Sequence, residues 1–187
     1  MTGVTLLGAV LAGGKSRRFG SDKALALLDG RTLLDHAVQW LRVRCDSVVV
    51  VGRETDAPQG VGFVSDWPRQ GMGPLGGIAG ALRRARDLGH GGVLTCGVDS
   101  PGLPAALPAL LDPGPSFVED QPVIGLWPID VLPSLEAILA GSGKHSLRAL
   151  AEATGARPVR PDGPTLNINH PEDLAGLGVI APASARP

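Results

Sequence analysis

The sequence feature that most constrains the fold is an apolar run that ends at two glycines and continues into a basic segment. Residues 4–11 are rich in valine, leucine and alanine, which is typical of a buried β-strand. Gly13 and Gly14 end this run, and because glycine has no Cβ atom, backbone N–H groups there can approach a bound anion. Four basic side chains follow within nine residues: Lys15, Arg17, Arg18 and Lys23. This pattern favours a polyphosphate-binding loop over the alternative of a solvated basic turn.

Two common glycine motifs do not account for this segment. A Walker A loop requires G-x-x-x-x-G-K-[ST]; residues 14–16 supply its ending, but Ala9 stands where its first glycine belongs. The dinucleotide-binding pattern G-x-G-x-x-G occurs at residues 71–76, but it follows the loop of residues 66–70 instead of a strand and contains Pro74. In a chain with 27 glycines we interpret this match as fortuitous. A genuine match would instead indicate a nicotinamide-dependent dehydrogenase, which is an alternative function.

Length and charge limit the classes of function. The 187 residues are enough for one domain, which we assign to residues 1–180, and residues 181–187 are predicted to be a disordered tail. A net charge of −1 predicts no general attraction to nucleic acids or membranes, and an aromatic content of 3% argues against stacking of single-stranded bases. Cys45 and Cys96 lack C-x-x-C partners, which favours reduced thiols and a cytoplasmic location. The apolar run at 4–11 is far shorter than the ~20 residues of a membrane span.

Apolar runs alternate with helical patterns in the first half of the chain. The predicted strands are residues 4–11, 48–51, 62–65 and 92–98. The first predicted helix runs to about Arg44 with Thr32 as its N-cap, and the second begins at Pro74 and is stopped by Gly89. The consecutive valines at 48–51 are typical of an internal parallel strand that is covered on both faces. The alternation predicts an α/β fold, a doubly wound and mostly parallel sheet with helices on both faces. Ligands are then expected beyond the carboxyl ends of the strands.

The second half of the chain has a less regular pattern. Its predicted helices are residues 103–111, 133–140 and 146–153, with a last helix that begins at Pro171, and its predicted strands are residues 116–118, 123–127 and 157–160. Pro122 has no backbone N–H to donate, which favours an edge position for the strand that follows it.

Two aspartates follow predicted strands and are candidate ligand contacts. Asp99 comes directly after the strand at 92–98, where a carboxylate can hold Mg²⁺ together with nucleotide phosphates. The alternative role for Asp99 is a helix N-cap. Asp66 follows the strand at 62–65, and its position alone is typical of a turn residue.

The basic segment resembles the loop L-A-G-G-x-S-x-R-x-G-x-D-K of the molybdenum cofactor guanylyltransferases, which transfer GMP to molybdopterin. The matching positions are Leu11, Ala12, Gly13, Gly14, Ser16, Arg18, Gly20, Asp22 and Lys23. The resemblance implies a Rossmann-like nucleotidyltransferase fold. The nucleotide-binding residues that it implies in this loop are Leu11, Ala12, Gly13, Gly14 and Lys23, and the implied catalytic residues are Arg18 and Lys23. With its paired glycines, this loop resembles that of the guanylyl branch of the superfamily more than those of the cytidylyl and sugar branches, which tend to have Ala-Ala-Gly.

Two segments around the aspartates are similar to further motifs of this family. Residues 96–101 match its metal-binding pattern C-x-x-D-[ST]-P. This match implies that Asp99 is catalytic, contacts the nucleotide and binds Mg²⁺, with Mn²⁺ as a substitute. Asp66 and residues 73–77 resemble the pattern D-x6-G-P-L-x-G, which implies a contact from Asp66 to GTP.

A fourth segment, residues 167–174, resembles the family pattern N-x-N-T-P-E-[DE]-L. The resemblance implies that Asn167 and Asn169 bind the pterin, and in a strand these two side chains would point to the same face. An asparagine-rich turn before the last helix is the alternative. His170 stands where the family usually has threonine, so the start of this helix is expected to differ.

Other positions depart from the family pattern or stay open. Gly52 follows the second strand, where the family often has asparagine, so a nucleotide contact there is missing or made by the backbone. The segment at 111–122 is short for the family, which puts the pterin-facing hairpin in question. A basic cluster of Lys144, His145 and Arg148 either meets the pterin phosphate or decorates a helix start.

The residues and the resemblance together predict a Mg²⁺-dependent enzyme. It would transfer GMP from GTP to the terminal phosphate of molybdopterin and release pyrophosphate. CMP transfer to molybdopterin, nucleotidyl transfer to a sugar phosphate and a silent nucleotide-binding regulator are alternatives, although the presence of both Lys23 and Asp99 speaks against the regulator. The expected partners are GTP and molybdopterin, with transient contacts to molybdenum cofactor biosynthesis proteins or acceptor molybdoenzymes, and neither nucleic acid nor a membrane.

Overall fold

A seven-stranded sheet forms the centre of the fold. The computed structural model describes residues 4–13, 22–163 and 165–175, so the predicted tail at 181–187 and the predicted site residues Gly14 and Arg18 lie outside the described residues. The strands are β1 (Leu6–Leu11), β2 (Leu27–Leu28), β3 (Arg31–Thr32), β4 (Ser47–Val51), β5 (Gly62–Val64), β6 (Gly92–Gly97), β7 (Ser116–Val118), β8 (Gln121–Pro128) and β9 (Arg157–Val159). The helices are α1 (Leu33–Arg42), α2 (Gly73–Asp87), α3 (Leu107–Leu111), α4 (Leu132–Ala140), α5 (Leu147–Thr154) and α6 (Pro171–Ala175).

The strand order in the main sheet is β5-β4-β1-β6-β8-β7-β9. The first four strands in this order are parallel neighbours, and β9 is parallel to β7. Strand β8 runs antiparallel to both β6 and β7, while β2 and β3 form a separate two-stranded ribbon. The predicted mostly parallel α/β sheet is therefore confirmed, with the antiparallel β8 as an addition to it.

Helices cover both faces of the sheet because alternate residues of each strand point to opposite sides. On one face, Ala9 and Val51 pack with the apolar sides of α2, α4 and α5. On the other face, Val10 and Val50 pack with α1 and α3. Each fully buried leucine or isoleucine in these two layers stabilises the fold by roughly 1.5–3 kcal/mol. The doubly wound arrangement predicted from the alternation of strands and helices is confirmed.

Local sequence sets the start of two helices. The Thr32 hydroxyl accepts a hydrogen bond from the Asp35 N–H at 3.0 Å and caps α1 as its sequence predicts. The helix predicted at 103–111 is shorter than expected, since α3 begins only at Leu107. Pro108, in the first turn of α3, has no N–H to donate to the carbonyl four residues earlier, which explains the later start. The 15-residue α2 and the other described helices all fall short of what a membrane-crossing helix needs in length and apolar character.

The prediction that Pro122 marks an edge strand is wrong. Strand β8 lies between β6 and β7, inside the sheet. Its pairing with β6 begins only at Gly125, opposite Thr95, and its register with β7 is irregular next to Val118. Among the described strand pairs Pro122 faces no partner residue, so its missing N–H is tolerated within an internal strand.

Both cysteines are expected to be unreactive in the folded protein. They are free thiols, with Cys96 fully buried and Cys45 partly buried. Burial raises the pKa of the Cys45 thiol to about 12, the charge of Asp46 adding to this effect, and burial raises the pKa of Cys96 well above its usual range. Because the thiolate is the nucleophile, alkylation by iodoacetamide at pH 8 should be at least ~100-fold slower in native protein than in urea. Time-resolved mass spectrometry measures both rates, and rapid native labelling of either thiol would contradict this expectation.

Candidate active site

A cavity of about 400 Å³, called here the main cavity, opens at the carboxyl ends of β1, β4 and β6. An open α/β sheet binds its ligands at such a position. The lining residues are Leu11, Gly13, Val51, Asp66, Gly71, Gly73, Pro74, Gly77, Gly97, Asp99 and Val123. The structure thus brings four of the predicted nucleotide contacts together, namely Leu11, Gly13, Asp66 and Asp99.

Two strand ends meet closely beside this cavity. The Ala12 N–H donates a hydrogen bond to the Val51 carbonyl at 3.0 Å, so this predicted contact residue uses its N–H within the protein. Gly52 has a φ of +77°, and a Cβ atom on it would lie 2.8 Å from the Gly13 Cα. A side chain at Gly52 therefore requires Gly13 to move. Gly52 has no side chain, so only its backbone is available for a ligand there.

Asp66 lies at the wall of the main cavity, in the loop between β5 and α2. Its Oδ2 accepts a hydrogen bond from the Gly71 N–H at 3.0 Å, and the Trp67 N–H donates to the Gly76 carbonyl at 3.0 Å. These bonds close the loop onto the first turn of α2. As predicted, the glycine pattern at 71–76 follows a loop and does not form a tight strand-to-helix turn. Two of its glycines nevertheless line the main cavity.

Glycines in α2 bring this helix close to the strand ends. A Cβ on Gly77 would lie 3.1 Å from the Leu11 Cδ2, and a Cβ on Gly80 would lie 2.2 Å from the Ser65 carbonyl oxygen. On the outer side of the same loop, the Arg83 guanidinium lies 5.0 Å from the centre of the Trp67 ring. The loop that carries Asp66 is thus held between α2 and its own hydrogen bonds.

Lys23 and Asp99 face each other beside the main cavity. The Lys23 Nζ lies 3.4 Å from the Asp99 Oδ2, although the two residues are 76 positions apart in the chain. Lys23 is only 8% exposed, so it is not a solvated surface cation. The Asp99 Oδ1 lies 3.3 Å from the Ser100 hydroxyl oxygen. Both contacts are longer than the 2.7–2.9 Å typical of charge-assisted hydrogen bonds, which leaves the carboxylate able to take a further ligand.

A short turn presents Lys23 to Asp99. The Asp22 carboxylate accepts from the Ala24 N–H at 3.1 Å and caps the single 3₁₀ turn Lys23–Leu25. Arg53, on the connection after β4, donates to the carboxylates of both Asp22 and Asp56. Sequence reasoning missed Arg53, because nothing in its local sequence indicates a partner 31 residues away.

The acidic residues at this site fit a divalent cation that is shared with a substrate. The described residues contain no group of three or more His, Cys, Asp or Glu side chains able to hold a metal alone. Mg²⁺ usually keeps several waters and binds through one or two carboxylates plus substrate phosphates. Asp99, with 33% of its side chain exposed and free coordination capacity, satisfies this requirement.

The two predicted pterin-binding asparagines lie on an irregular segment next to the Asp99 loop, not on a strand. Asn167 and Asn169 are exposed, while Ile168 between them is buried against Leu33. The Ile168 N–H donates to the Asp99 carbonyl at 2.8 Å. A second cavity, of about 460 Å³, is lined by Val118, Asp120, Gln121, Val159, Arg160, Pro161, Gly163, Thr165 and Asn167. Asn167 therefore lines a cavity, whereas Asn169 is outside the described lining of both.

The start of α6 differs from the family pattern in the way it is capped. The Asp173 Oδ2 accepts from the N–H groups of Asn169 at 2.7 Å and His170 at 2.8 Å. This is one half of a capping box, in which the side chain of the third helical residue reaches back to the cap. A hydroxyl at position 170 would supply the other half, so His170 removes one capping bond without removing the helix.

The hydrogen bonds to Asp173 predict a pH-dependent local change. The N–H groups of Asn169 and then His170 lower the pKa of Asp173 below its usual range. A carboxyl whose pKa is depressed by folding stabilises its contacts above the unfolded value of about 3.9, and this contribution is lost as the pH falls through the folded pKa. The amide resonances of both donors should therefore titrate together with a midpoint below about 3.9.

One variant and a reference amide make this titration specific. Asp173→Asn should remove the transition from both amides, since the titrating carboxyl is gone. The amide of Ile78, in the buried face of α2, reports whether global acid unfolding has begun instead. Independent midpoints for the two donors, or a shared midpoint above the usual aspartate value, would disprove the assignment.

The basic cluster predicted from the sequence lies outside the described lining of both cavities. The His145 Nε2 lies 3.0 Å from the Gly141 carbonyl oxygen, and the Arg148 Nε donates to Glu152 at 2.9 Å within α5. These are local contacts at a helix start, so the interpretation as a helix surface is favoured.

The family match defines the class of this protein as a nucleotidyltransferase. Residues 8–159 match the family described as the MobA-like NTP transferase domain, and the chain belongs to this family. Within it, the chain is 33% identical to the molybdenum cofactor guanylyltransferase of Acidiphilium cryptum over 92% of this chain and 94% of that protein. It is 37% identical to the probable molybdenum cofactor guanylyltransferase of Deinococcus radiodurans over 92% and 93%. The resemblance predicted from four sequence segments is confirmed.

Solved structures share the fold at lower sequence identity. The molybdopterin-guanine dinucleotide biosynthesis protein A of Archaeoglobus fulgidus has a TM-score of 0.69 at 21% identity, covering 93% of this chain and 97% of that one. The 2-C-methyl-D-erythritol 4-phosphate cytidylyltransferase of Thermus thermophilus has a TM-score of 0.58 at 16% identity, covering 92% and 96%. Because a cytidylyltransferase has the same fold, the fold itself does not select the nucleotide base.

Proposed function

We propose that this protein transfers GMP from GTP to the terminal phosphate of molybdopterin and releases pyrophosphate. The observation that carries the proposal is the Lys23–Asp99 pair beside a cavity at the strand ends. It occurs in a chain that aligns over 92% of its length with a molybdenum cofactor guanylyltransferase. A lysine opposite a carboxylate with free coordination capacity is suited to bind the phosphates of a nucleoside triphosphate.

The proposed reaction is an in-line displacement at the α-phosphorus of GTP. An oxygen of the acceptor phosphate forms the new P–O bond, and the bond from the α-phosphorus to the bridging oxygen breaks. Pyrophosphate leaves with that electron pair. Since the attacking phosphate is already ionised, no protein group has to remove a proton. Positioning and charge stabilisation therefore supply the catalysis.

The residues of this chain divide this work between them. Lys23 would neutralise charge that develops on the phosphates, and Arg18 is proposed to assist it by resemblance to the family loop. Backbone N–H groups at Gly13 and Gly14 are proposed to contact the same phosphates. Asp66, on the far wall of the main cavity, would contact the nucleoside. Asn167, on the second cavity, and its neighbour Asn169 would bind the pterin.

Asp99 is the proposed metal ligand. A bound Mg²⁺ would supply charge neutralisation to the phosphates of the substrate. A Mycobacterium tuberculosis protein solved in complex with manganese has a TM-score of 0.58 to this chain at 19% identity, covering 95% of this chain and all of that one. We propose Mg²⁺ as the working ion and Mn²⁺ as a substitute. The free thiols of Cys45 and Cys96 favour the cytoplasm as the compartment.

The test combines nucleotide selectivity with product analysis. GTP with Mg²⁺ should raise the melting temperature by roughly 5–10 °C at a hundredfold excess over Kd, a stabilisation of about 2.7 kcal/mol, and CTP should do so much less. Mass spectrometry with molybdopterin as acceptor should then detect the guanine dinucleotide and pyrophosphate. A cytosine dinucleotide as the main product would make the chain a cytidylyltransferase. Nucleotide binding without any product would favour the silent regulator.

A further inference from the structure

Gln121, at the start of β8, has a buried polar side chain that is hydrogen-bonded at both ends. It is 6% exposed. Its Oε1 accepts a hydrogen bond from the Ser100 hydroxyl at 2.6 Å, and its Nε2 donates to the carbonyls of Thr165 at 3.0 Å and Leu166 at 3.3 Å. Carbonyl oxygens only accept, so the amide nitrogen must face them and the amide oxygen must face Ser100. Both ends of the carboxamide are committed to the protein.

The three partners of Gln121 belong to the two segments that carry the proposed substrate contacts. Ser100 directly follows Asp99, which lines the main cavity. Thr165 and Leu166 directly precede Asn167, which lines the second cavity. The same two segments are joined by the hydrogen bond from the Ile168 N–H to the Asp99 carbonyl. The other described hydrogen bonds that link these two segments are those of the Gln121 side chain, which bonds to one segment at each end.

We propose that Gln121 is a positioning residue that fixes the Asp99 loop relative to the Asn167 segment. The inference rests on the proposed function, because the distance so fixed is the one between a nucleotide at Asp99 and an acceptor at Asn167. Reacting atoms must lie about 3–3.5 Å apart, and a misplacement of about 1 Å costs roughly 10²-fold in rate. A side chain that joins both substrate segments controls this distance without needing to contact the reacting atoms.

Two substitutions separate the two ends of the side chain. Gln121→Glu retains an acceptor for the Ser100 hydroxyl, but it places a second oxygen against the carbonyls of Thr165 and Leu166. Gln121→Met retains the approximate volume and removes both sets of hydrogen bonds. Both variants should lower the kcat of GMP transfer roughly 10–100-fold. The Kd of GTP with Mg²⁺ should stay within about threefold, because the contact of Asp99 with Lys23 does not involve Gln121.

Controls distinguish positioning from a general loss of stability. Gln39→Glu makes the same chemical change on the exposed side of α1 and should leave kcat unchanged. Leu139→Ala removes part of a buried side chain of α4, away from the described lining of both cavities. This variant should have a lower melting temperature, but its kcat should be unchanged when measured at temperatures at which it is folded. In a double-mutant cycle, Ser100→Ala should add little to Gln121→Met, since both remove the same bond.

A readout without catalysis keeps this inference separate from the proposed function. Hydrogen exchange at the Ile168 amide, which is bonded to the Asp99 carbonyl, should accelerate at least about tenfold in Gln121→Met. Exchange at Ile78 in α2 should not change. Unchanged Ile168 protection, or a loss of GTP affinity equal to the loss of kcat, would overturn the positioning role. If the wild-type protein transfers no GMP to molybdopterin, the function fails, while the exchange result still decides the role of Gln121.

Discussion

Asp99→Asn should lower the kcat of GMP transfer by about 10²–10³, the usual effect of removing one preorganised charged group from a transition state. The amide oxygen can still accept from Lys23, and the amide nitrogen can donate to the Ser100 hydroxyl oxygen, so the local contacts can be kept. What is lost is the negative charge that would hold a cation against the substrate phosphates. Because the packing is retained, the stability change should remain below about 2 kcal/mol.

Single-turnover transfer measured across Mg²⁺ and Mn²⁺ concentrations tests this expectation. The variant should need more metal than the wild type for half-maximal rate, and Mn²⁺ should restore part of the activity. Asp130→Asn, an exposed aspartate between β8 and α4, is the matched control and should stay within about twofold of the wild type. Near-wild-type turnover of Asp99→Asn at every metal concentration would falsify the metal role.

Lys23→Ala should lower kcat to a similar extent, but with a larger cost in stability. The sequence alone suggests an exposed lysine, whose loss would be nearly neutral, yet Lys23 is buried opposite Asp99. Because both groups act on the same polyphosphate, the double variant should be less impaired than the product of the two single effects. Full additivity would mean that Lys23 and Asp99 act at separate places.

The parts of this site that the sequence predicts are those in which local pattern and position coincide. An apolar run that ends at glycine or aspartate indicates a strand end, and in a parallel sheet these ends meet at one edge. The sequence pattern alone therefore places Gly13, Asp66 and Asp99 at the same edge of the sheet, and in the structure all three line the main cavity. The buried state of Lys23 could not, since it depends on a carboxylate 76 residues away.

Errors and omissions follow the same division between local and distant information. Pro122 has the local signature of an edge strand, but the strand order that puts β8 inside the sheet is set by pairings with β6 and β7. Arg53 and Gln121 each join segments more than 20 residues apart in the chain. Neither stands in a recognisable motif, so their contacts become visible only in three dimensions.

Gly80→Ala should destabilise the protein, although alanine is the better helix former by about 1 kcal/mol. A Cβ at this position of α2 would lie 2.2 Å from the Ser65 carbonyl oxygen and 3.1 Å from the Val64 Cγ1. The nearer atom belongs to the backbone, so the clash cannot be relieved by a side-chain rotation. Overpacking of this kind typically costs 1–3 kcal/mol, and the distance here places Gly80→Ala at the upper end. The overpacking should outweigh the gain in helix propensity and lower the melting temperature by several degrees.

The same substitution should also weaken GTP binding, because Ser65 is followed directly by Asp66 on the wall of the main cavity. Displacing α2 from the end of β5 separates Asp66 from the first turn of the helix, and we expect the Kd of GTP to rise about tenfold, a loss of about 1.4 kcal/mol. Gly143→Ala is the matched control, since a Cβ there meets no atom within 4 Å. Gly77→Ala should be intermediate, because its nearest contact, at 3.1 Å, is the end of the flexible Leu11 side chain. Calorimetry and GTP titration of the three variants should therefore give the order Gly80, Gly77, Gly143 in both quantities. A rise in melting temperature for Gly80→Ala would show that α2 is not held against β5 by this glycine.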